Sequence, residues 1–171
     1  MIGTVEVYTG NGKGKTTAAF GLALRAAGAG LKVYIAQFVK GMRYSELKAV
    51  ERLADSIMLK QYGLGFFVNR DPDKEDFKAA RQGLKEVREI VGSGMYDLVI
   101  LDEANIATHY DLFSVEELLE VIRARPTHVE LVITGRKADP RIMEAADLVT
   151  EMREIKHYYS KGVKARIGIE R

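Results

Sequence analysis

The run Thr9-Gly10-Asn11-Gly12-Lys13-Gly14-Lys15-Thr16-Thr17 collects the residue types needed to hold a polyphosphate. Glycines at 10, 12 and 14 let successive backbone N–H groups turn inward as a nest for an anion, and a helix start adds the positive end of its dipole. Lys15 is spaced to reach the terminal phosphates, Thr16 to offer its hydroxyl to Mg²⁺, and Thr17 to donate to the phosphate nearest the helix. The usual spacing, G-x-x-x-x-G-K-[ST], has glycine where this chain has Thr9, with Gly10 one place later. A threonine there demands ordinary backbone angles, so the loop entry departs from the common pattern.

A second group of chemically able residues follows the apolar run Leu98-Val99-Ile100-Leu101, which ends in Asp102-Glu103. In an open sheet of this class the carboxyl end of such a strand lies beside the glycine loop. An acid is needed there to hold Mg²⁺ directly or through water. The second acid of the pair can instead polarise a water for hydrolysis, and the residues alone leave both roles open. Thr134-Gly135-Arg136 also closes a strand, from which an arginine can reach phosphates in cis. Arg25 sits two turns beyond Thr17 on the first helix, where a solvated role is the simpler expectation. His109, His128 and His157 lack ligand-like spacing and read as structural or surface residues.

These groups need elements to position them, and the pattern supplies strands alternating with helices. Thr4–Tyr8 reads as a strand and Ala18–Ala27 as a helix stopped by Gly28-Ala29-Gly30. Strands are expected at Lys32–Val39, Ile57–Tyr62, Tyr96–Leu101 and Val129–Thr134. Ser45–Leu53 and Arg141–Ala146 are expected as short helices. Asp71-Pro72-Asp73 supplies an N-cap and a first-turn proline for a long helix whose Phe77, Ala80, Leu84, Val87 and Val91 share one face. Ser114 and Glu117 have capping-box spacing for a helix to Ala124. Leu148–Met152 and Val163–Ile169 read as further strands. The uninterrupted apolar run at 98–101 belongs to a strand covered on both faces, so the expected class is α/β, three layers around a mostly parallel sheet.

At 171 residues and 47% hydrophobic content, the chain suits one well-buried core, so 1–171 is expected as a single domain. The formal charge of +2, with bases and acids interspersed, shows no basic stripe of the kind a nucleic-acid binder carries. The absence of cysteine removes disulfides, thiolate metal sites and cysteine nucleophiles. No apolar run approaches the roughly 20 residues that span a bilayer, and the first residues lead into a strand without a signal-peptide pattern, so a soluble, cytoplasmic protein is expected.

Taken together, the segments resemble the corrinoid (cob(I)alamin) adenosyltransferases of the phosphate-loop type. The resemblance runs through residues 9–19, Gly63-Leu64-Gly65-Phe66, Leu98–Glu103, Val132–Arg136, Ala146–Met152 and Gly162–Glu170. Threonine at the loop's first position is itself a feature of that family. The resemblance implies a phosphate-loop NTPase (RecA-like) fold and a transferase that moves the 5′-deoxyadenosyl group of ATP to reduced corrinoid cobalt, cob(I)alamin or cobinamide, releasing triphosphate. It implies nucleotide contacts from Gly10, Asn11, Gly12, Lys13, Gly14, Lys15, Thr16, Thr17, Arg25 and Arg136, with Lys15, Thr16 and Glu103 catalytic. Mg²⁺ or Mn²⁺ is implied on Thr16, Asp102 and Glu103, and Phe66 in the corrin-facing wall. The family commonly has Phe-Thr-Trp where this chain reads Phe66-Phe67-Val68 and carries no tryptophan. A homodimer and a flavin reductase supplying electrons are the partners the resemblance suggests. Two other functions fit the residues: a phosphate-loop ATPase or kinase releasing ADP, and an ATP-binding module without chemistry.

Overall fold

The computed structural model describes residues 2–42, 44–64 and 71–170. The strands are β1 (Val5–Thr9), β2 (Val33–Phe38), β3 (Ile57–Tyr62), β4 (Leu98–Asp102), β5 (Glu130–Thr134) and β6 (Leu148–Glu151). The helices are α1 (Lys15–Gly28), α2 (Ser45–Glu51), α3 (Lys74–Ser93), α4 (Ala104–His109), α5 (Val115–Ala124) and α6 (Pro140–Glu144), and Tyr158–Lys161 forms a 3-10 turn. The strands make one six-stranded sheet in the order β3-β2-β4-β5-β1-β6. Every pairing is parallel, so all strand carboxyl ends share one edge.

Alternation along the strands sorts their side chains onto two faces. On one face Val5, Val7, Val99, Leu101, Leu131 and Ile133 pack against α3, α4, α5 and α6. On the other, Ile35, Leu98, Ile100 and Val132 pack against α1 and α2. The expected three layers are therefore present, and β4, buried along its whole length, is the doubly covered strand that its apolar run implied. The sheet-facing residues of α1 are Ala19, Ala23 and Ala26. Small side chains bring this helix close to β4 and β5 and hold its first turn over the strand ends.

Cap chemistry explains where α3 and α5 start. Asp73 Oδ1 accepts from the N–H groups of Glu75 (3.0 Å) and Asp76 (3.1 Å), while Asp76 Oδ2 accepts from Asp73 N–H at 3.0 Å. The cap is thus Asp73, and Pro72 precedes the helix instead of lying in its first turn. The expected apolar face of α3 is present: Ala80, Leu84, Val87 and Val91 are buried, each Leu or Val contributing roughly 1.5–3 kcal/mol. The Ser114–Glu117 capping box starts α5 as expected.

One helix was not anticipated, and one expected strand is corrected. α4 follows Glu103 directly, with Ala104 to Thr108 all buried, where no helix is legible in so short a segment. Val163–Ile169 is not a strand. Gly162 and Gly168 turn the chain at φ 75° and 77°, and Arg166 N–H donates to Glu170 Oε2 at 2.8 Å, closing a turn that leaves Ile167 83% exposed. Alternating apolar residues there have no sheet to face.

Two helix glycines differ in what surrounds them. A Cβ on Gly83 of α3 would lie 2.4 Å from Tyr62 Cγ, whereas one on Gly21 of α1 would meet nothing within 4 Å. Gly83→Ala should therefore destabilise by about 2 kcal/mol through overpacking, and Gly21→Ala should stabilise by up to about 1 kcal/mol through helix propensity. Urea denaturation of the two variants checks the opposite signs.

Candidate active site

The shared carboxyl edge of the sheet gathers the loop after β1, the end of β4 and the turn after β5. Gly10 (φ 92°) and Gly14 (φ 122°) carry the backbone angles that glycine alone adopts cheaply. They also answer to a neighbour that the motif does not reveal. A Cβ on Gly10 would come 2.4 Å from the Met152 carbonyl oxygen, and one on Gly12 would come 2.7 Å from it. Gly12 N–H donates to that carbonyl at 2.7 Å, and Met152 N–H donates to Thr9 O at 2.8 Å. The chain leaving β6 is thus fastened across the loop. The nest expected from the glycines is partly committed to protein, since the Gly12 donor is already used.

Lys15 is buried and folded into the loop, donating to the carbonyls of Gly10 and Gly12, both at 2.7 Å. Burial lowers its pKa, the positive charge of Arg136 adds to that, and Glu103 and Asp102 oppose it. An ammonium so placed is stabilised by any anion that enters.

Asp102 ends β4 fully buried. Its Oδ1 accepts from the Thr16 hydroxyl (2.8 Å) and the Thr134 hydroxyl (2.8 Å). Its Oδ2 accepts from Lys40 Nζ (2.7 Å) and Gln37 Nε2 (3.1 Å). In the strand order β5 lies between β1 and β4, so the glycine loop and the acid pair are not on adjacent strands. They meet because α1 crosses the sheet and delivers Thr16. Glu103 takes left-handed backbone angles (φ 60°) and donates its N–H to Thr134 Oγ1 at 3.1 Å. Burial raises the Glu103 pKa, the Asp102 charge raises it further, and Lys40, Lys15 and Arg136 pull it back. Gly135 (φ 132°) turns the chain toward Arg136, and buried Asn105 holds that turn by donating to Gly135 O at 3.3 Å.

A cavity of about 670 Å³ opens over this edge. Of the expected residues, Gly12, Lys13, Gly14, Lys15, Thr16, Thr17, Glu103 and Arg136 line it. Asp102 lies beneath, with Gly10 and Asn11 in the loop outside the lining. Arg25 is exposed in the last turn of α1 and does not line the cavity; its charge acts on the Tyr8 hydroxyl instead. Phe66, Phe67 and Val68 fall outside the described residues. Lys40, Tyr44, His157 and Gly168-Ile169-Glu170 also line the cavity and were not anticipated there. Lys40 follows β2, and the rule that strand carboxyl ends carry function was the signal that could have found it. His157, read as structural or surface, accepts from Tyr159 N–H through Nδ1 (3.0 Å), which leaves the proton of its neutral form on Nε2.

The C-terminal segment forms one wall. Glu170 accepts from Lys13 Nζ at 3.0 Å, from Arg166 Nη2 at 3.0 Å and from the Tyr158 hydroxyl, while Lys13 also bonds Tyr158 Oη at 2.9 Å. These donors, Arg166 foremost, hold the Glu170 carboxyl far below the ordinary carboxylate range. For an acid whose folded pKa is depressed, the contribution is complete above the unfolded pKa and is lost only as pH falls through the folded one. Docking of the segment should therefore survive at pH 4. Glu170→Ala should release it, so that trypsin cleaves within 153–166 several-fold faster than in wild type at pH 7.

Comparison with known proteins agrees with this geometry. The family model described as ATP:corrinoid adenosyltransferase BtuR/CobO/CobP matches residues 1–171. A corrinoid adenosyltransferase of Escherichia coli K12 is 38% identical over 169 residues, covering 98% of this chain and 85% of that protein. One of Salmonella typhimurium LT2 is 37% identical over 169 residues, covering 98% and 85%, and one of Pseudomonas aeruginosa is 37% identical, covering 98% and 83%. A parallel α/β sheet whose carboxyl edge gathers a glycine loop, a buried aspartate and the cations Lys13, Lys15, Lys40 and Arg136, together with likeness along its whole length, makes this chain a member of the ATP:corrinoid adenosyltransferase family.

Proposed function

We propose that residues 1–171 act as one ATP:corrinoid adenosyltransferase domain, moving the 5′-deoxyadenosyl group of ATP onto cob(I)alamin or cobinamide. The observation that carries this is one cavity lined by Lys13, Lys15 and Arg136 together with Gly12 and Gly14, a surface suited to gathering charge on a triphosphate. The electron pair of Co(I) forms the bond to C5′. The C5′–O5′ bond breaks with its pair going to the triphosphate, which leaves whole, and cobalt becomes formally Co(III). No proton moves, so no side chain is needed as a base.

Within that reaction the loop stabilises a leaving group. Lys15, released from the carbonyls of Gly10 and Gly12, and Arg136, held out by the Gly135 turn, offset the charge that grows on the departing oxygen. Preorganised donors of this kind usually supply the largest catalytic term. Asn11, Gly14 and Thr17 complete the cradle. Arg25 has no place in the cavity wall and is left as an outer contact. Phe66 is retained as a corrin contact on the strength of the family resemblance alone.

A divalent cation fits the residues present. Thr16, Asp102 and Glu103 offer hard oxygen donors, and no cluster of three or more His, Cys, Asp or Glu residues occurs among the described residues. Such a site suits Mg²⁺, which typically combines one or two carboxylates with substrate phosphates, in preference to a cage made wholly of protein. When bound, Mg²⁺ or Mn²⁺ would neutralise charge on the triphosphate.

No helix among the described residues is long and apolar enough to cross a membrane, and a cytoplasmic setting with a reductase, such as a flavin reductase, supplying Co(I) is part of the reading. So is a homodimer, for which the edge strand β6, with Leu148 and Val149 each 43% exposed, offers a surface.

The raised pKa of Glu103 gives a rival reading its one support, since a poised carboxylate can serve as a base for hydrolysis. Incubation with ATP, Mg²⁺ and chemically reduced cobalamin separates the two. The expected outcome is the visible spectrum of a light-sensitive alkylcobalamin; ADP formation with no spectral change would refute the transfer. Lys15→Ala should lower transfer by several orders of magnitude, and unaltered transfer in that variant would refute the loop's role.

A further inference from the structure

Lys40 is the site residue for which the reaction as described has no use. It is 9% exposed and lines the cavity. Its ammonium lies 2.7 Å from Asp102 Oδ2 and 3.3 Å from the Thr16 hydroxyl oxygen, the two groups best suited to a divalent cation. Val39 delivers it there in left-handed backbone angles (φ 63°). A β-branched residue in that region is strained and persists only where its surroundings impose it. Gly63 is one such constraint: a Cβ there would sit 2.6 Å from Lys40 N and 2.7 Å from Val39 C. The fold holds this ammonium on this carboxylate at a cost.

Resting on the nucleotide reading above, we propose that Lys40 is an internal stand-in for the divalent cation. In the nucleotide-free protein it occupies the cation's ligands, and it leaves them only when the phosphates of ATP arrive to receive it. Metal and nucleotide are thereby made to enter together.

Charge and filled lone pairs decide which cation holds the site. Asp102 already accepts from Thr16, Thr134, Gln37 and Lys40, so a cation gains access to Oδ2 and to the Thr16 oxygen only if Lys40 withdraws. Without nucleotide, withdrawal takes the ammonium off its buried carboxylate into a cavity already lined by Lys13, Lys15 and Arg136, where Glu46, Glu103 and Glu170 are the acids among the described lining residues. A triphosphate reverses that balance by placing several negative charges where the ammonium must go. The Tyr44 ring, 5.7 Å from Nζ, flanks the cavity side of Lys40 and offers a face along its path. Once on the phosphates, Lys40 becomes a further cation on the leaving group, beside Lys15 and Arg136.

The test is a titration with Mn²⁺ followed by electron paramagnetic resonance, which reads free metal and requires no corrinoid. Wild type should bind Mn²⁺ at least about tenfold more weakly without ATP than with it, since two cations several ångströms apart in a partly buried site repel by about 1.4 kcal/mol or more, the equivalent of that factor. Lys40→Met should gain nucleotide-independent Mn²⁺ binding, at least about tenfold tighter than nucleotide-free wild type. A merely structural lysine would not yield a gain of metal affinity on removal. Equal Mn²⁺ affinity in wild type with and without ATP would overturn the proposal even if the variant failed to fold, as would equal nucleotide-free affinities in the two proteins. Failure of wild type to bind ATP at all would instead overturn the nucleotide assignment, and this inference with it.

Discussion

A carboxylate shut away from water at the end of a central strand must be met by donors from every element around it, and Asp102 imposes that demand on the working edge of this protein. Its partners come from the start of α1, from β2 and the second residue beyond it, and from the end of β5. Each belongs to a segment that also presents something to the cavity. Thr16 follows Lys15, Lys40 lies beside the Tyr44 wall, and Thr134 precedes the turn that aims Arg136. Satisfying one buried charge therefore aligns the loop, the acid pair and the arginine turn. Isolated, such a charge is costly; paired and hydrogen-bonded on all sides, it fixes the arrangement.

The glycine loop is held from outside as well as shaped from within. Met152 and Arg153 pass so close that Gly10 and Gly12 tolerate no side chain, and the segment beyond them returns to clasp Lys13 through Glu170. The phosphate-facing wall is thus assembled from residues about 140 to 160 positions apart in the chain. That dual constraint gives the loop glycines a packing role beside their proposed phosphate role, and a substitution there would report on both.

How much of this could be read from the residues differs from element to element. The loop, the apolar β4 and the face of α3 were legible because each is written in local spacing: a motif, an unbroken apolar run, a 3.6-residue period. Capping at Ser114 was legible for the same reason. The α4 helix was not, since a six-residue helix with Ala104 to Thr108 all buried by tertiary contact carries little periodicity. The tail over 163–169 was misread because alternation signals a strand only where a sheet face exists to receive it, and here β6 is the last strand of the described sheet. At the site, Lys15, Thr16, Asp102, Glu103 and Arg136 were identified by type and place. Lys40 was missed because its role depends on strand order and on the left-handed Val39, neither of which a lone lysine after an apolar strand announces. The resemblance to corrinoid adenosyltransferases supplied the chemistry that spacing alone had left open between carbon and phosphorus as electrophile.

That choice of electrophile is the account's centre, because it decides whether the cradle holds a reacting group or a departing one. It is measured most directly by running turnover with reduced cobalamin in ¹⁸O-labelled water and examining the phosphorus products by ³¹P NMR. Attack at C5′ predicts intact triphosphate with no solvent oxygen on any phosphorus. Label appearing in inorganic phosphate released together with ADP would contradict it.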